Sequence, residues 1–403
     1  MADVDDVRRA WGRTRPTGEG HRVTTFELFF DLVYVFAITQ VTGHLAHEHS
    51  LHGIVQGLLM LALLWWTWAG YTWLGNQARA DEGLLRAGMA IAMAAMFVVS
   101  LTIPEAWHDM PGGLEGPVVF VGAYFLVRAI HLAVYTVAAA EAHDSGLRHQ
   151  LAITWVPTLT GTALLLVGAL LGGWAQTALF AAALLAEAGG TYLTSRRGSW
   201  RLRSAGHWVE RHGLFLILAI GESVVAIGVG AAEQPISGPL LLASFLGVAV
   251  AVCLWWLYFD LVSLAAEHRL LELDGQARVK LVIDAYSYGH FPIIAGVVLT
   301  ALGLEGVLAH AAGTEGLGGF YAPALFGGLA LYLAGHLLFK RLVHRTVNVP
   351  RAVTVLVLLA VLPGAVFLPP LAALAAAIVV LGVLVAVETA LHAPVRRALR
   401  EAG

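Results

Sequence analysis

The chain reads as an all-α polytopic integral membrane protein of about twelve transmembrane helices, and three observations carry that reading. Of its 403 residues 58% are hydrophobic and only 13% charged, where a soluble globule holds about 25% charged residues. Its apolar runs are about 20 residues long, enough to cross a hydrocarbon core as helices, and they lack the period-two alternation of strands. Arginine and lysine fall almost wholly in alternate connections.

Taken in order, spans are expected near residues 26–45, 53–74, 85–103, 117–140, 150–171, 174–193, 209–231, 239–262, 280–303, 319–342, 352–368 and 371–392. Gly172-Gly173 and Pro369-Pro370 break two over-long apolar runs into hairpins. Residues 1–25 mix acidic residues with five arginines and hold no long apolar stretch, so they are expected to form a cytosolic tail and not a cleavable leader. Segments 75–86, 141–149, 194–211, 263–280, 340–351 and 393–403 hold the remaining basic residues except Arg128, and the intervening loops hold none. Those empty loops total roughly fifty residues, so chance does not explain them, and both termini are expected in the cytoplasm of a bacterial inner membrane.

The two halves resemble each other. Leu64-Trp65-Trp66-Thr67-Trp68 matches Leu254-Trp255-Trp256-Leu257-Tyr258, His131 matches His336, and Glu187 matches Glu388. The expected organisation is a first six-helix repeat at 26–193, a cytosolic connector at 194–208, a second repeat at 209–392 and a tail at 393–403. Six helices per unit return each repeat to its starting side, so the repeats should be parallel.

Net charge is only −3, which gives no reason to expect a nucleic-acid partner. The partners expected are the lipid bilayer and a small solute or ion. The lone Cys253 excludes an intrachain disulfide and a CxxC site. No nucleotide-binding loop or dinucleotide fingerprint occurs, so no cofactor and no ATP-driven pump is expected.

Chemistry resides in ionisable groups at lipid depth. A carboxylate within a span costs about 2.5–3.5 kcal/mol on insertion scales, yet Asp31, Glu187, Glu222, Asp260, Asp284 and Glu388 all fall inside apolar segments. Glu27, Asp31 and Tyr34 recur at i, i+4, i+7 on one helical face, with Glu27 near enough to the interface to expect solvation. His207, Arg211 and Glu222 share a stripe on the seventh span, with Arg211 expected at its surface end. Arg128, at mid-span, needs an anion: Glu222, Asp31 or an anionic substrate. His131, three residues on, shares its side of the helix. Asp284, Tyr288 and His290 precede Pro292, which frees a carbonyl and is expected to kink the ninth span. His44, His47, His49 and His52 cluster with Glu48 outside the membrane, a donor set that suits zinc or copper. The tryptophan runs are expected to pack helices.

The segment from Glu27 to Gln40 resembles the hallmark of the bacterial low-temperature-requirement protein A (LtrA) family. Glu210-Arg211-His212-Gly213 through Glu222, Leu254 through Asp260, and Tyr286-Ser287-Tyr288-Gly289-His290-Phe291-Pro292 agree with it. The resemblance implies a polytopic inner-membrane protein named for growth in the cold. It supplies no substrate or reaction.

A secondary transporter or permeation protein, proton-coupled through its carboxylates, is the leading expectation. The alternatives are an intramembrane lipid-modifying enzyme using the clustered His, Glu and Asp, and a membrane sensor or scaffold in stress adaptation.

Overall fold

The computed structural model describes residues 17–195, 198–232 and 234–394. Tail residues 1–16, Arg196 and Arg197 of the expected connector, and residues 395–403 lie outside the described residues. Every regular element described is helical.

The chain divides into two compact units, Met1–His44 with Leu51–Arg211, and Leu45–Ser50 with His212–Gly403. The first holds α1 (Thr25–His47) up to His44, α2 (Leu51–Gln77), α3 (Gly83–Thr102), α4 (Gly116–Glu141), α5 (Ser145–Leu171), α6 (Gly173–Leu184) and α7 (Gly190–Ser195). A π-turn, Leu185–Gly189, joins α6 to α7. Helix α8 (Ala205–Ala232) carries the division between Arg211 and His212. The second unit continues with α9 (Gly238–Phe259), α10 (Val262–Leu271), α11 (Gly275–Leu281), α12 (Phe291–Ala309), α13 (Gly318–Ala322), α14 (Gly328–His344), α15 (Val349–Ala365) and α16 (Pro370–Leu391). Further π-turns, Val282–Tyr288 and Pro323–Gly327, lead into α12 and α14.

Ten helical runs among the described residues are long and apolar enough to cross a membrane: Thr25–His47, Leu51–Gln77, Gly83–Glu105, Gly116–Glu141, Ser145–Leu171, Ala205–Ala232, Gly238–Leu271, Gly275–Ala309, Gly318–His344 and Pro370–Leu391. This is a multi-pass membrane protein. Two expected spans stand apart from these ten. Segment 174–193 is helical but is interrupted by the π-turn at Leu185–Gly189. Segment 352–368 coincides with α15, an apolar helix whose 17 residues carry Pro363 and rise about 26 Å, at the lower end of the lengths that span a bilayer.

Helix α1 shows how an apolar solvent reverses ordinary amphipathicity. Leu28, Phe29 and Leu32 point outward, while Glu27, Asp31 and Tyr34 are buried with Phe30, Ile38 and Val41. Lipid tolerates the apolar side, and the polar side must find protein partners. In the first unit α3 packs on α4, α4 on α5 and α5 on α6; in the second α12 packs on α14 and α9 on α16. At α12 and α14 the approach is backbone to backbone. A Cβ added at Gly296 would collide with the main chain of Tyr332, so the pair packs as small-residue membrane helices do.

Candidate functional site

The first unit encloses a charged cluster at the head of α1. Residues 17–24 lie across the C-terminal end of α2 and the start of α8. Thr17 donates its amide to Gln77 O (3.2 Å) and its hydroxyl to Asn76 O. Ser204 Oγ donates to Glu19 O (2.9 Å) and His21 O (3.0 Å), and Val23 N–H donates to Glu210 Oε2 (3.1 Å). This strap and an early start of α8, at Ala205 rather than near 209, cover the end of the bundle. Arg211, expected at the surface, is therefore completely buried, and Glu27, expected in interfacial water, is 1% exposed.

Arg211 grips Asp31 bidentately, Nη1 to Oδ2 at 2.6 Å and Nη2 to Oδ1 at 2.9 Å. It also donates from Nη1 to Glu27 O (3.1 Å), and its Nε lies 3.9 Å from Glu27 Oε1. Trp68 Nε1–H donates to Asp31 Oδ1 at 2.9 Å, and the guanidinium lies over the Trp68 ring. This tryptophan is thus a ligand of the carboxylate as well as packing. The Glu27 carboxylate accepts from Thr24 N–H (2.9 Å) and Thr24 Oγ (3.0 Å) through Oε2, and Oε1 lies 2.9 Å from His207 Nε2. Glycine at position 75 leaves room for this carboxylate, since a Cβ there would displace Glu27 Oε1. His21, ahead of α1, stacks on His207 at 5.1 Å. Burial, and then the His207 ring, lower the His21 pKa below its ordinary value.

A second buried pair lies deeper in the same unit. Arg128 is about 18 Å along α4 from Gly116, and its Nε is 3.4 Å from Glu187 Oε1. Tyr124 donates its hydroxyl to Glu187 Oε2 at 2.7 Å, and Arg128 lies 5.9 Å from the Trp66 ring. The anion for Arg128 is Glu187, not Glu222 or Asp31 as expected. Glu187 sits in the π-turn, whose widened geometry shifts the phase of the helix and defeats any α-helical face assignment. Between the two pairs lie Tyr34, donating to Thr67 Oγ1 (3.1 Å), Tyr71, donating to Val127 O (2.9 Å), and His131, whose Nε2 is 2.9 Å from Gly70 O.

In the second unit Glu388 is held by Arg351, Nε to Oε1 at 2.8 Å and Nη2 to Oε2 at 2.7 Å, and by Asn348 Nδ2 at 2.7 Å. Arg351, Glu388, Asn348, Lys340, His336, His344 and His392 border a cavity of about 70 Å³. His290 Nε2 is 3.0 Å from the Tyr258 hydroxyl and stacks on Tyr286 at 5.2 Å. His212, Tyr332 and His336 complete this buried aromatic and imidazole group. Asp284, in the π-turn at Val282–Tyr288, borders a wide cavity of about 600 Å³ with Arg269, Lys280, Arg341 and Arg345. Glu222 is buried; Asp260 and Tyr288 are half-buried.

The histidines expected to form an outer metal site have the following neighbours within their own units. His44 stacks on Trp107, His52 on Trp174 with Nε2 2.9 Å from Thr177 Oγ1, His49 Nε2 is 3.0 Å from the Tyr321 hydroxyl, and His47 is exposed. Among the described residues, His21, Glu27 and His207 form a group of metal-ligating type.

Sequence reasoning missed Arg351, Tyr258, His212 and the strap with His21. Arg351 sat in a basic connection and was counted only for topology. His212 and Tyr258 stood in plain view within the segments quoted for the family resemblance.

A protein of Rhizobium meliloti (strain 1021) described as uncharacterized is 29% identical over 332 residues, covering 79% of this chain and 77% of its own. No solved structure matches. The profile of the bacterial low temperature requirement A protein (LtrA) matches residues 22–386, nearly the whole span from the strap to the last helix. This chain is accordingly a member of the LtrA family.

Proposed function

We propose that the protein is a secondary transporter or permeation protein for a small solute or ion, proton-coupled through its intramembrane carboxylates. Twelve spans in two parallel six-helix repeats, with both termini on the cytoplasmic side of the inner membrane, are the architecture that goes with this proposal. The observation that carries it is the Asp31–Arg211 pair, sealed inside a candidate span, in the same unit as the buried Tyr34–Thr67 contact, His131 and the Arg128–Glu187 pair. Groups this expensive at lipid depth mark ion and proton pathways far more often than they serve as ornament. A fixed structural pair is the competing role, and its net contribution to stability is small.

The mechanism follows from charge balance. Protonating Asp31 removes the charge that holds Arg211, so the guanidinium is released toward Glu27 or an arriving anion. Protonating Glu187 frees Arg128 in the same way. Two pairs that open on protonation are bistable elements able to bias a conformational equilibrium.

The test is reconstitution in proteoliposomes loaded with a pH-sensitive dye. Solute-dependent proton flux is measured against a panel of alkali cations, divalent cations, phosphate, short carboxylates and amino acids. At least one panel member should drive flux in wild type, with a loss of about tenfold or more in Asp31→Asn. Equal flux in Asp31→Asn removes Asp31 from the mechanism. Absence of flux with all classes, together with modification of added lipid without a gradient, would establish the enzymatic alternative instead.

A further inference from the structure

We propose that His21, Glu27 and His207 form a binding site for one divalent transition-metal ion of the zinc class, at the junction of the strap with α1 and α8. The site stands independently of the transport proposal, since metal would bind whether or not a solute moves.

Four observations point to it. One donor atom from each of the three residues lies within 4.8 Å of the others. In a tetrahedral zinc site, bonds of 2.0–2.1 Å hold the donors about 3.4 Å apart. Closing the group therefore takes side-chain shifts of about an ångström from the present positions. Next, His21 Nε2 is buried with no hydrogen-bond partner, so its lone pair is available to a ligand. Third, the strap is stitched down on both sides of His21 by Ser204 and Val23, so the ring is already positioned and little ordering is left for the metal to impose. Last, charge favours a cation. Two buried carboxylates, Glu27 and Asp31, share the single guanidinium of Arg211. Asp31 takes both of its Nη donors, which leaves Glu27 Oε1 with only the more distant Nε of that guanidinium at 3.9 Å.

Two imidazoles and one carboxylate are a donor set for zinc, cobalt or nickel and a poor one for magnesium or calcium. Glu27 would ligate through Oε1, since Oε2 is committed to Thr24. His207 would ligate through Nε2. Its proton moves to Nδ1 in that tautomer, which opens the 3.3 Å contact with Asn76 Nδ2 while Asn76 keeps its 2.7 Å bond to Ser204 O. The fourth position stays open to water. Bound metal would add to the hold of the strap on the end of the bundle that encloses Arg211, raising the cost of opening it.

The experiment uses the full chain in detergent, stripped of metal by chelator and desalted, then titrated with Co²⁺ while the visible ligand-field bands are recorded, with Zn²⁺ as competitor. Wild type should bind one Co²⁺ per chain with the intense bands of a four- or five-coordinate site, displaced by Zn²⁺. Affinity should fall at least about tenfold in His21→Ala and in Glu27→Gln. His49→Ala on the outer loop should change nothing. Elution profile and melting temperature in chelator verify that each variant folds, and His21→Asn replaces His21→Ala if the latter does not. Zn²⁺ should raise the Tm of wild type and not that of the His21 variant. Wild-type affinity in the folded His21 variant overturns the site. So does loss of binding in His49→Ala, or only the weak bands of six-coordinate cobalt in wild type.

Discussion

Arg211 is the residue on which the charged end of the first unit turns, because one buried guanidinium faces two buried carboxylates. Removing it leaves a buried charge without compensation, the costly half of breaking an ion pair. Arg211→Met should lower stability by about 3–5 kcal/mol, read as a drop in melting temperature in detergent. The double variant Asp31→Asn with Arg211→Met should recover a large part of that loss. If the two single losses simply add in the double variant, the pair is not coupled. Trp68→Phe keeps the ring and deletes the 2.9 Å donor to Asp31. It should cost about 1–3 kcal/mol by leaving a carboxylate oxygen short of a donor. A variant as stable as wild type would show that the bond adds nothing.

At the scale of elements, the strap and the α12–α14 contact make opposite kinds of demand. The strap is tied by a few hydrogen bonds, so it belongs to the part of the molecule that opens locally at low cost. The lowered pKa of His21 means that the released strap binds a proton more readily than the docked one. Docking is therefore fully stable above the ordinary histidine pKa and weakens as pH falls below about 6.5. In metal-free buffer, proteolysis or hydrogen exchange within residues 17–24 should rise between pH 7.5 and pH 5.5. Flat exchange over that range would contradict the coupling. The α12–α14 contact admits no such looseness. Gly296→Val places a side chain into the main chain at Tyr332, an overpacking that costs about 1–3 kcal/mol or more. A stable, monodisperse Gly296→Val would show that the helices can separate freely.

Across the whole molecule, the placement of arginine and lysine bears on sidedness. Cys253 is the one native cysteine, so a Cys253→Ser background gives a clean reporter. Cysteine at Met110 or Ile236, both exposed, should react with an impermeant maleimide added outside intact cells. Cysteine at Glu272, also exposed, should react only after permeabilisation. The reverse pattern would invert the topology. Composition and run length made the helical membrane class and most helix positions legible from sequence, since lipid imposes intra-segment hydrogen bonding on any apolar run of that length, and the segment from Glu27 to Gln40 made the family legible. The shared polar side of Glu27, Asp31 and Tyr34 was legible too, because it depends only on the 3.6-residue period.

Pairing was not legible. Arg211 meets Asp31 across 180 residues of sequence, and Arg128 meets Glu187 through a π-turn that no periodicity announces. Tertiary structure alone decided which cation neutralises which acid, and brought His21 to Glu27 and His207 by laying a strap across the bundle end. The physical reason is one of range. Helix formation in lipid is settled within a single segment, whereas the partner of a buried charge is settled by whichever groups the packed helices carry to within a few ångströms of it.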